Sequence, residues 1–247
     1  MSSSESLKST LSVYMRQAGA WDVGFADPSA GFQHVLPDYH PQKVWPDCRS
    51  VVVFAVPMSP EMNNTYVGPL APWPERTLPS PVPDNIISEH YALNRVARLS
   101  SNYVQMVCMA ILESEGYRSS FRRIQYKTAA YEAGLGVYGK SGLIIHPELG
   151  SRLCLGVVMT DAAIEHDTPL RDFHPCEGCD ECMKNCPAEA YDPQLDYPES
   201  WSRETCVARR AEIDENGLYC NNCMASCPAG SIPDSVIYQV STARSLI

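Results

Sequence analysis

Cys176, Cys179, Cys182 and Cys186 stand in the pattern CxxCxxCxxxC closed by Pro187, and Cys220, Cys223 and Cys227 repeat its second half as CxxCxxxC closed by Pro228. Thiolates at such spacing are soft ligands for iron or zinc. A tight loop can offer three of them to three corners of a cubane iron–sulfur cluster, while the fourth corner takes a ligand from elsewhere in the chain. Cys206, alone between the two runs, stands where such a displaced ligand is needed. Together the eight fill two [4Fe-4S] clusters with none left over. A zinc site of four cysteines is the competing reading, and two CP-terminated runs with three-residue gaps weigh against it.

The first run has the spacing of bacterial two-cluster ferredoxins, in which the fourth cysteine ligates the neighbouring cluster. Exchange of that kind assigns Cys176, Cys179, Cys182 and Cys227 to one cluster, and Cys186, Cys206, Cys220 and Cys223 to the other. The gap from Cys206 to Cys220 departs from a plain ferredoxin. Of the eleven cysteines, Cys48, Cys108 and Cys154 fall in or beside expected core elements, where a thiol packs as a small hydrophobe.

The elements that must position this constellation can be read from periodicity. Leu7, Leu11, Tyr14, Met15 and Ala18 recur at helical spacing and end at Gly19, which predicts a first helix and then a short strand over Val23–Ala26. SVVVFAVP, residues 50–57, is a continuous run rich in β-branched residues, the pattern of a central strand buried on both faces. Residues 57–83 are proline-rich and exclude a regular helix or central strand, leaving a long loop that is either a lid or an insertion. A long helix capped by Asp84 and Asn85 should run to Gly116, with Val104, Cys108 and Ile111 on its apolar face. A strand near Tyr117–Phe121, a helix near Tyr126–Ala133, and strands near Leu143–His146 and Leu153–Thr160 complete an α/β arrangement. Apolar periodicity fades after Thr160, so a boundary is expected near residue 170, with a cofactor domain over 1–170 and a small cluster domain with a tail over 171–247.

Composition bounds the rest. A chain of 247 residues with 45% hydrophobic and 19% charged residues is globular. Its formal net charge of −10 opposes binding driven by a phosphate backbone, which draws on clustered Lys and Arg. Arg118, Arg122, Arg123 and Lys127 form a candidate basic patch, which by default is a solvated face. No apolar run approaches the length of a membrane span, and the N-terminus carries no secretory pattern, so no membrane association and a cytoplasmic location are expected. Cysteine-rich chains in a reducing compartment use thiols for metal or redox chemistry.

One segment outside the cysteines is informative. In Lys127–Pro147, the glycines Gly134, Gly136, Gly139 and Gly142 crowd a helix-to-strand turn, which permits close backbone approach to a bulky ligand. The order is the reverse of a dinucleotide fingerprint. AGLGVYGKSGLIIHPELGSRLCLGVVMTD (133–161), followed by CxxCxxCxxxCP, a lone cysteine and CxxCxxxCP, resembles epoxyqueuosine reductases and the related reductive dehalogenases. The resemblance implies a nitroreductase-like α+β domain binding base-off cobalamin, followed by a ferredoxin-like double-cluster domain that feeds electrons to cobalt. It puts Lys127 where those reductases have a cobalamin-contacting arginine. It also brings Gly136, Gly139, Lys140, Ser141, Ile144 and Asn221 to the corrin.

The departures are specific. The position of the reductases' catalytic aspartate is Ser120 here, and no carboxylate occupies residues 117–130. With the acidic net charge, this argues against tRNA as substrate. Reductive dehalogenases deliver the proton from a tyrosine near a cation, which makes Tyr126 and Tyr138, beside Lys127 and Lys140, the candidate catalytic residues. The function expected is an iron–sulfur reductase acting through cobalamin on a small substrate, supplied by a low-potential donor of ferredoxin or flavodoxin type. The alternatives are a module that reduces a corrinoid protein, and a front domain that binds flavin.

Overall fold

The computed structural model describes residues 3–30, 32, 35–58, 84–121, 124–195, 197–215, 220 and 222–231. Asn221, Arg122, Arg123 and the proline-rich stretch from residue 59 to 83 lie outside the described residues.

Four strands form the central sheet, in the order β1 (Asp22–Ala26), β2 (Ser50–Pro57), β6 (Leu153–Thr160), β3 (Ser119–Ser120). Every pairing is antiparallel, and β2 and β6 pair along their whole length, from Ser50 opposite Thr160 to Pro57 opposite Leu153. β2 is central and buried throughout, as its β-branched run predicts. A continuous apolar run reads as strand here because helices cover both faces, whatever the strand direction.

Alternation along β2 divides the core. Val52, Phe54 and Val56 pack with α1 (Ser3–Gln17) through Leu7, Leu11 and Met15, and with α3 (Asp84–Ser114) through Val104, Cys108 and Leu112. Val51 and Val53 face the other way, onto Ala129, Ala130 and Ala133 at α4 (Tyr126–Glu132) and onto Ile144. Complete burial of each such Leu, Met or Phe side chain is worth about 1.5–3 kcal/mol. A short α2 (Pro41–Val44) lies at the edge of this second layer. The small residues of α4 allow a close approach: a Cβ on Gly24 of β1 would strike the Ala133 carbonyl oxygen.

Three helices stop by the same device. At Gly19 (φ +115), Gly116 (φ +83) and Gly134 (φ +70), the glycine N–H bonds back to Arg16, Glu113 and Tyr131, and the next N–H to Met15, Leu112 and Ala130. This is the Schellman pairing, which needs a left-handed residue. The first two stops are expected from sequence. Gly134, read there with the ligand-facing glycines, is instead the end of α4.

The strand expected over Tyr117–Phe121 shrinks to two residues. Arg118 within it turns to Asp161, at 2.7 Å, and to Asp47, at 3.0 Å, and lies over the Trp45 ring. Arg118 is thus neutralised, and Lys127 points inward, so neither contributes to an open basic face.

Beyond α4, β4 (Val137–Tyr138) and β5 (Ile144–Ile145) make a hairpin whose loop is the glycine-rich turn. After β6 the chain is short-turned, with α5 (Glu181–Lys184), α6 (Arg203–Glu215) and α7 (Asn222–Ala225). No helix among the described residues is long and apolar enough to cross a membrane.

Candidate functional site

None of the eight rear cysteines is in a disulfide, and those of the CxxC runs sit on tight turns: the Cys179 N–H bonds to the Cys176 carbonyl, that of Cys186 to Met183, and that of Cys227 to Met224. α5 carries Cys182 and α7 carries Cys223, and Cys186 and Cys227 follow just beyond them. Cys206 reaches the site differently, on the first turn of α6. Ser202 caps that helix by accepting the Thr205 N–H at 3.2 Å, and the Cys206 N–H bonds to the Ser202 carbonyl. A separate capped helix explains the irregular spacing of Cys206.

The thiols feel one another's charges in two neighbouring groups, with Cys182 bearing on both. Burial raises the pKa of Cys176 and takes Cys182 up to about 11, and repulsion within the group Cys176, Cys179, Cys182 and Cys227 adds to it. Burial pushes Cys223 up to about 12, with Cys220, Cys186 and Cys182 adding to it. Lys127 faces Cys223 and Cys206 together. Cys182 bears on both sets, so these interactions do not by themselves separate the two ligand sets expected from reciprocal exchange. Among the described residues no three His, Cys, Asp or Glu side chains are grouped as ligands of a single ion.

Around the second group the front of the chain closes in. Lys127 Nζ donates to the Gly142 carbonyl at 2.5 Å and lies 5.8 Å from the centre of the Trp201 ring. Burial lowers its pKa, and the Cys223 and Cys206 thiols oppose that shift. Tyr191 donates to the Ser141 carbonyl at 3.3 Å and sits among Cys223, Cys186 and Cys182, where burial and then those thiols drive its pKa well up. Ser200 Oγ, beside Trp201, is buried and has no hydrogen-bond partner among the described residues. Around the first group, Lys140 Nζ donates to the Cys179 carbonyl at 2.8 Å, and its backbone N–H to the Cys176 thiol lowers that thiol's pKa against burial.

The glycines of the turn clear space for the protein itself. A Cβ on Gly136 would meet the Ile145 carbonyl oxygen, one on Gly139 the Ile145 side chain and Cys176 Sγ, and one on Gly142 the Tyr197 ring. Ser141 and Ile144 are buried.

A cleft of about 1080 Å³ opens beside this hairpin, walled by Tyr131, Tyr138, Lys140, Phe173, Cys176 and Tyr197. That exceeds the ~300–1,000 Å³ usual for drug-sized ligands. Gly139 and Lys140, of the residues expected to hold a cofactor, line it; Lys127, Gly136, Ser141 and Ile144 do not. Of the two candidate tyrosines, Tyr126 is 40% exposed and outside the lining, whereas Tyr138 is in the wall. Tyr138 stacks on Tyr197 with centroids 4.9 Å apart, and its hydroxyl shares a 2.7 Å hydrogen bond with Thr128 Oγ1. Burial pushes the Tyr138 phenol up to about 12, although the Thr128 bond opposes this, so its environment does not bring it toward ionisation as a neighbouring cation would. Tyr191, Tyr197, Trp201 and Phe173 carry no motif in the sequence, and only the fold brings them to the site.

No family model matches the chain. Curated relatives are epoxyqueuosine reductases: that of Listeria monocytogenes is 45% identical over 58 residues, which is 24% of this chain and 15% of the relative. That of Synechococcus sp. is 44% identical over 64 residues, 26% of this chain and 19% of the relative. The matched segment is thus less than a fifth of either relative's length. In fold, the chain matches an epoxyqueuosine reductase bound to a tRNA-Tyr epoxyqueuosine-modified stem loop, with TM-score 0.60 and 18% identity over 91% of this chain and 65% of that one. It also matches a reductive dehalogenase described with a mechanism for B12-dependent dehalogenation, with TM-score 0.67 and 18% identity over 98% of this chain and 35% of that one. The stem-loop complex overturns the expectation against tRNA. A net charge is a sum over the whole chain and does not fix the potential of one face. The chain thus shares a sequence segment with the epoxyqueuosine reductases, and a fold with both these reductases and the reductive dehalogenases.

Proposed function

We propose that the chain is an iron–sulfur reductase carrying two [4Fe-4S] clusters on its eight rear cysteines and base-off cobalamin in the adjoining cleft. A low-potential donor of ferredoxin or flavodoxin type would supply single electrons. Residues 1–170 would then be a nitroreductase-like cofactor domain and 171–247 a ferredoxin-like one, working in a reducing compartment such as the cytoplasm.

The observation that carries this reading is a shared wall: Cys176 belongs both to a group of facing thiols and to the lining of a cleft large enough for a macrocycle. The two CP-terminated cysteine runs with three-residue gaps suit iron–sulfur clusters better than a four-cysteine zinc site. Bound cobalamin supplies a strongly reducing, nucleophilic metal, and the protein's share is position, water exclusion and a proton. Gly139, Lys140 and the stacked rings of Tyr138 and Tyr197 would hold the cofactor's face and edge. Tyr138, protonated at neutral pH, can donate a proton into the cleft and regain one through Thr128. The substrate is a small molecule or, as for the stem-loop-bound relative, a modified nucleoside in RNA.

Anaerobic reconstitution tests the proposal. We expect about eight irons and eight sulfides per chain, two interacting cluster signals in EPR after reduction, and spectral saturation on titration with cobalamin. Zinc in place of iron, or no cobalamin-dependent spectral change, would overturn it. Bound yellow, fluorescent cofactor would transfer the cleft to flavin.

A further inference from the structure

Two lysines reach from the front of the chain to the two groups of thiols, one to each. Lys127, on α4, faces Cys223 and Cys206. Its ammonium is fixed by the Gly142 carbonyl at 2.5 Å and by the Trp201 ring, and Trp201 lies just before the helix that carries Cys206. Lys140, in the hairpin loop, donates from its side chain to the Cys179 carbonyl and from its backbone to the Cys176 thiol. Gly139 before it packs so closely that an added Cβ would stand 3.2 Å from Cys176 Sγ.

Their surroundings differ. Among the described residues, the charges that bear on Lys127 are those of the Cys223 and Cys206 thiols, with no carboxylate. The charge of Lys140 bears also on Asp180, an exposed carboxylate that Lys184 contacts at 2.8 Å. Lys140 is therefore partly neutralised by a carboxylate, which weakens its field at the thiols. Reduction adds negative charge to a thiolate-bound cluster, so a nearby fixed cation favours the reduced state, and more so away from water.

We infer that Lys127 and Lys140 set the reduction potentials of the two clusters apart, Lys127 raising that of the cluster on Cys186, Cys206, Cys220 and Cys223 more than Lys140 raises the other. This rests on the two-cluster reading above. The consequence is directional. The first electron settles on the Lys127 side, and the cluster that shares its wall with the cleft remains the stronger reductant. Lys127 acts as a positioning charge and does not touch the cleft.

The test is an anaerobic redox titration of reconstituted protein, followed by EPR, on wild type, Lys127→Gln, Lys127→Arg, Lys140→Gln and Cys206→Ser. Lys127→Gln should lower the midpoint of one cluster by about tenfold in the reduction equilibrium, ~59 mV for a one-electron couple. The cluster moved should be the one whose signal Cys206→Ser alters. Lys127→Arg should hold the wild-type midpoint, and Lys140→Gln should move the other cluster by less. Equal movement of both clusters in Lys127→Gln, no movement, or a shifted Lys127→Arg would overturn the inference. Should Lys127→Gln fail to load iron, the Lys127→Arg midpoint and a Lys140→Gln shift confined to the other cluster decide it. Absence of any cluster signal in wild type would instead defeat the two-cluster reading itself.

Discussion

Tyr138 and Cys206 show what a single residue contributes here. The Tyr138 ring lies buried on Tyr197, and burial outweighs the opposing 2.7 Å bond to Thr128, so its phenol should titrate near pH 12, not with exposed tyrosines. Ultraviolet titration of wild type against Tyr138→Phe should show a late-ionising component missing from the variant. The lost hydrogen bond should cost about 1 kcal/mol of stability, and turnover should fall if this phenol is the proton donor. Cys206→Ser should impair the cluster on Cys186, Cys220 and Cys223 and largely spare the one on Cys176, Cys179, Cys182 and Cys227, as read by iron content and EPR. The cysteine runs stand out in the sequence because their spacing is local. Lys127 was legible as important but not in its direction: a lysine at this position reads equally as a cofactor contact or as a charge turned toward thiols far along the chain. Only the Gly142 and Trp201 contacts separate the two.

At the scale of elements, the sheet and its helices follow closely from the sequence. Two strands, Ser50–Pro57 and Leu153–Thr160, have the bounds their β-branched runs predict, and Gly19 and Gly116 end helices where expected. The glycine-rich turn was harder, because a missing side chain announces a close neighbour without naming it. At Gly136, Gly139 and Gly142 that neighbour is the chain's own Ile145, Cys176 or Tyr197. Gly134→Ala places a side chain at φ +70 and against the Thr168 carbonyl, so it should destabilise by roughly 1–3 kcal/mol and lower the thermal midpoint measured by circular dichroism. Leu112→Ala, at a site with 0% exposure where α3 meets the sheet, should cost about 2–5 kcal/mol. It should not change the clusters' EPR signals, since Leu112 packs on the face away from α4.

Across the whole molecule, the region after residue 170 is stitched to what precedes it. Ser151 Oγ donates to the Met224 carbonyl at 3.1 Å, the Ser231 N–H bonds to the Pro147 carbonyl at 3.2 Å, and a Cβ on Gly150 would strike the Ala229 carbonyl oxygen. The loop that receives these contacts is held in turn by His146. Its Nδ1 accepts the Glu148 and Leu149 N–H groups, and its Nε2 lies 3.3 Å from Asp22, which also pairs with Arg16. Burial raises the Asp22 pKa, but the His146 hydrogen bond and the Arg16 charge outweigh it and hold the carboxyl below 3.8. A lowered carboxyl pKa stabilises the fold above the unfolded value and ceases to do so as pH falls through the folded one. Asp22→Asn should therefore lower the thermal midpoint at pH 7, and its deficit relative to wild type should shrink on acidification below about pH 4, where wild type loses the same contribution. This long-range seam left no trace in the sequence, since its partners lie far apart along the chain, 73 residues for Ser151 and Met224, and meet largely through backbone atoms.

That seam bears on how the protein is made. The chain leaves the ribosome N-terminus first, so the loop from His146 to Gly150 can be in place before Cys220, Cys223 and Cys227 exist. Under the reciprocal assignment those last three cysteines complete both clusters at once, when Met224–Ser231 settles on a waiting cradle. On the proposed two-cluster reading, a nascent chain stopped before Cys220 could finish neither cluster, and iron loading would be a final, all-or-none event of biosynthesis that vouches for everything synthesised before it.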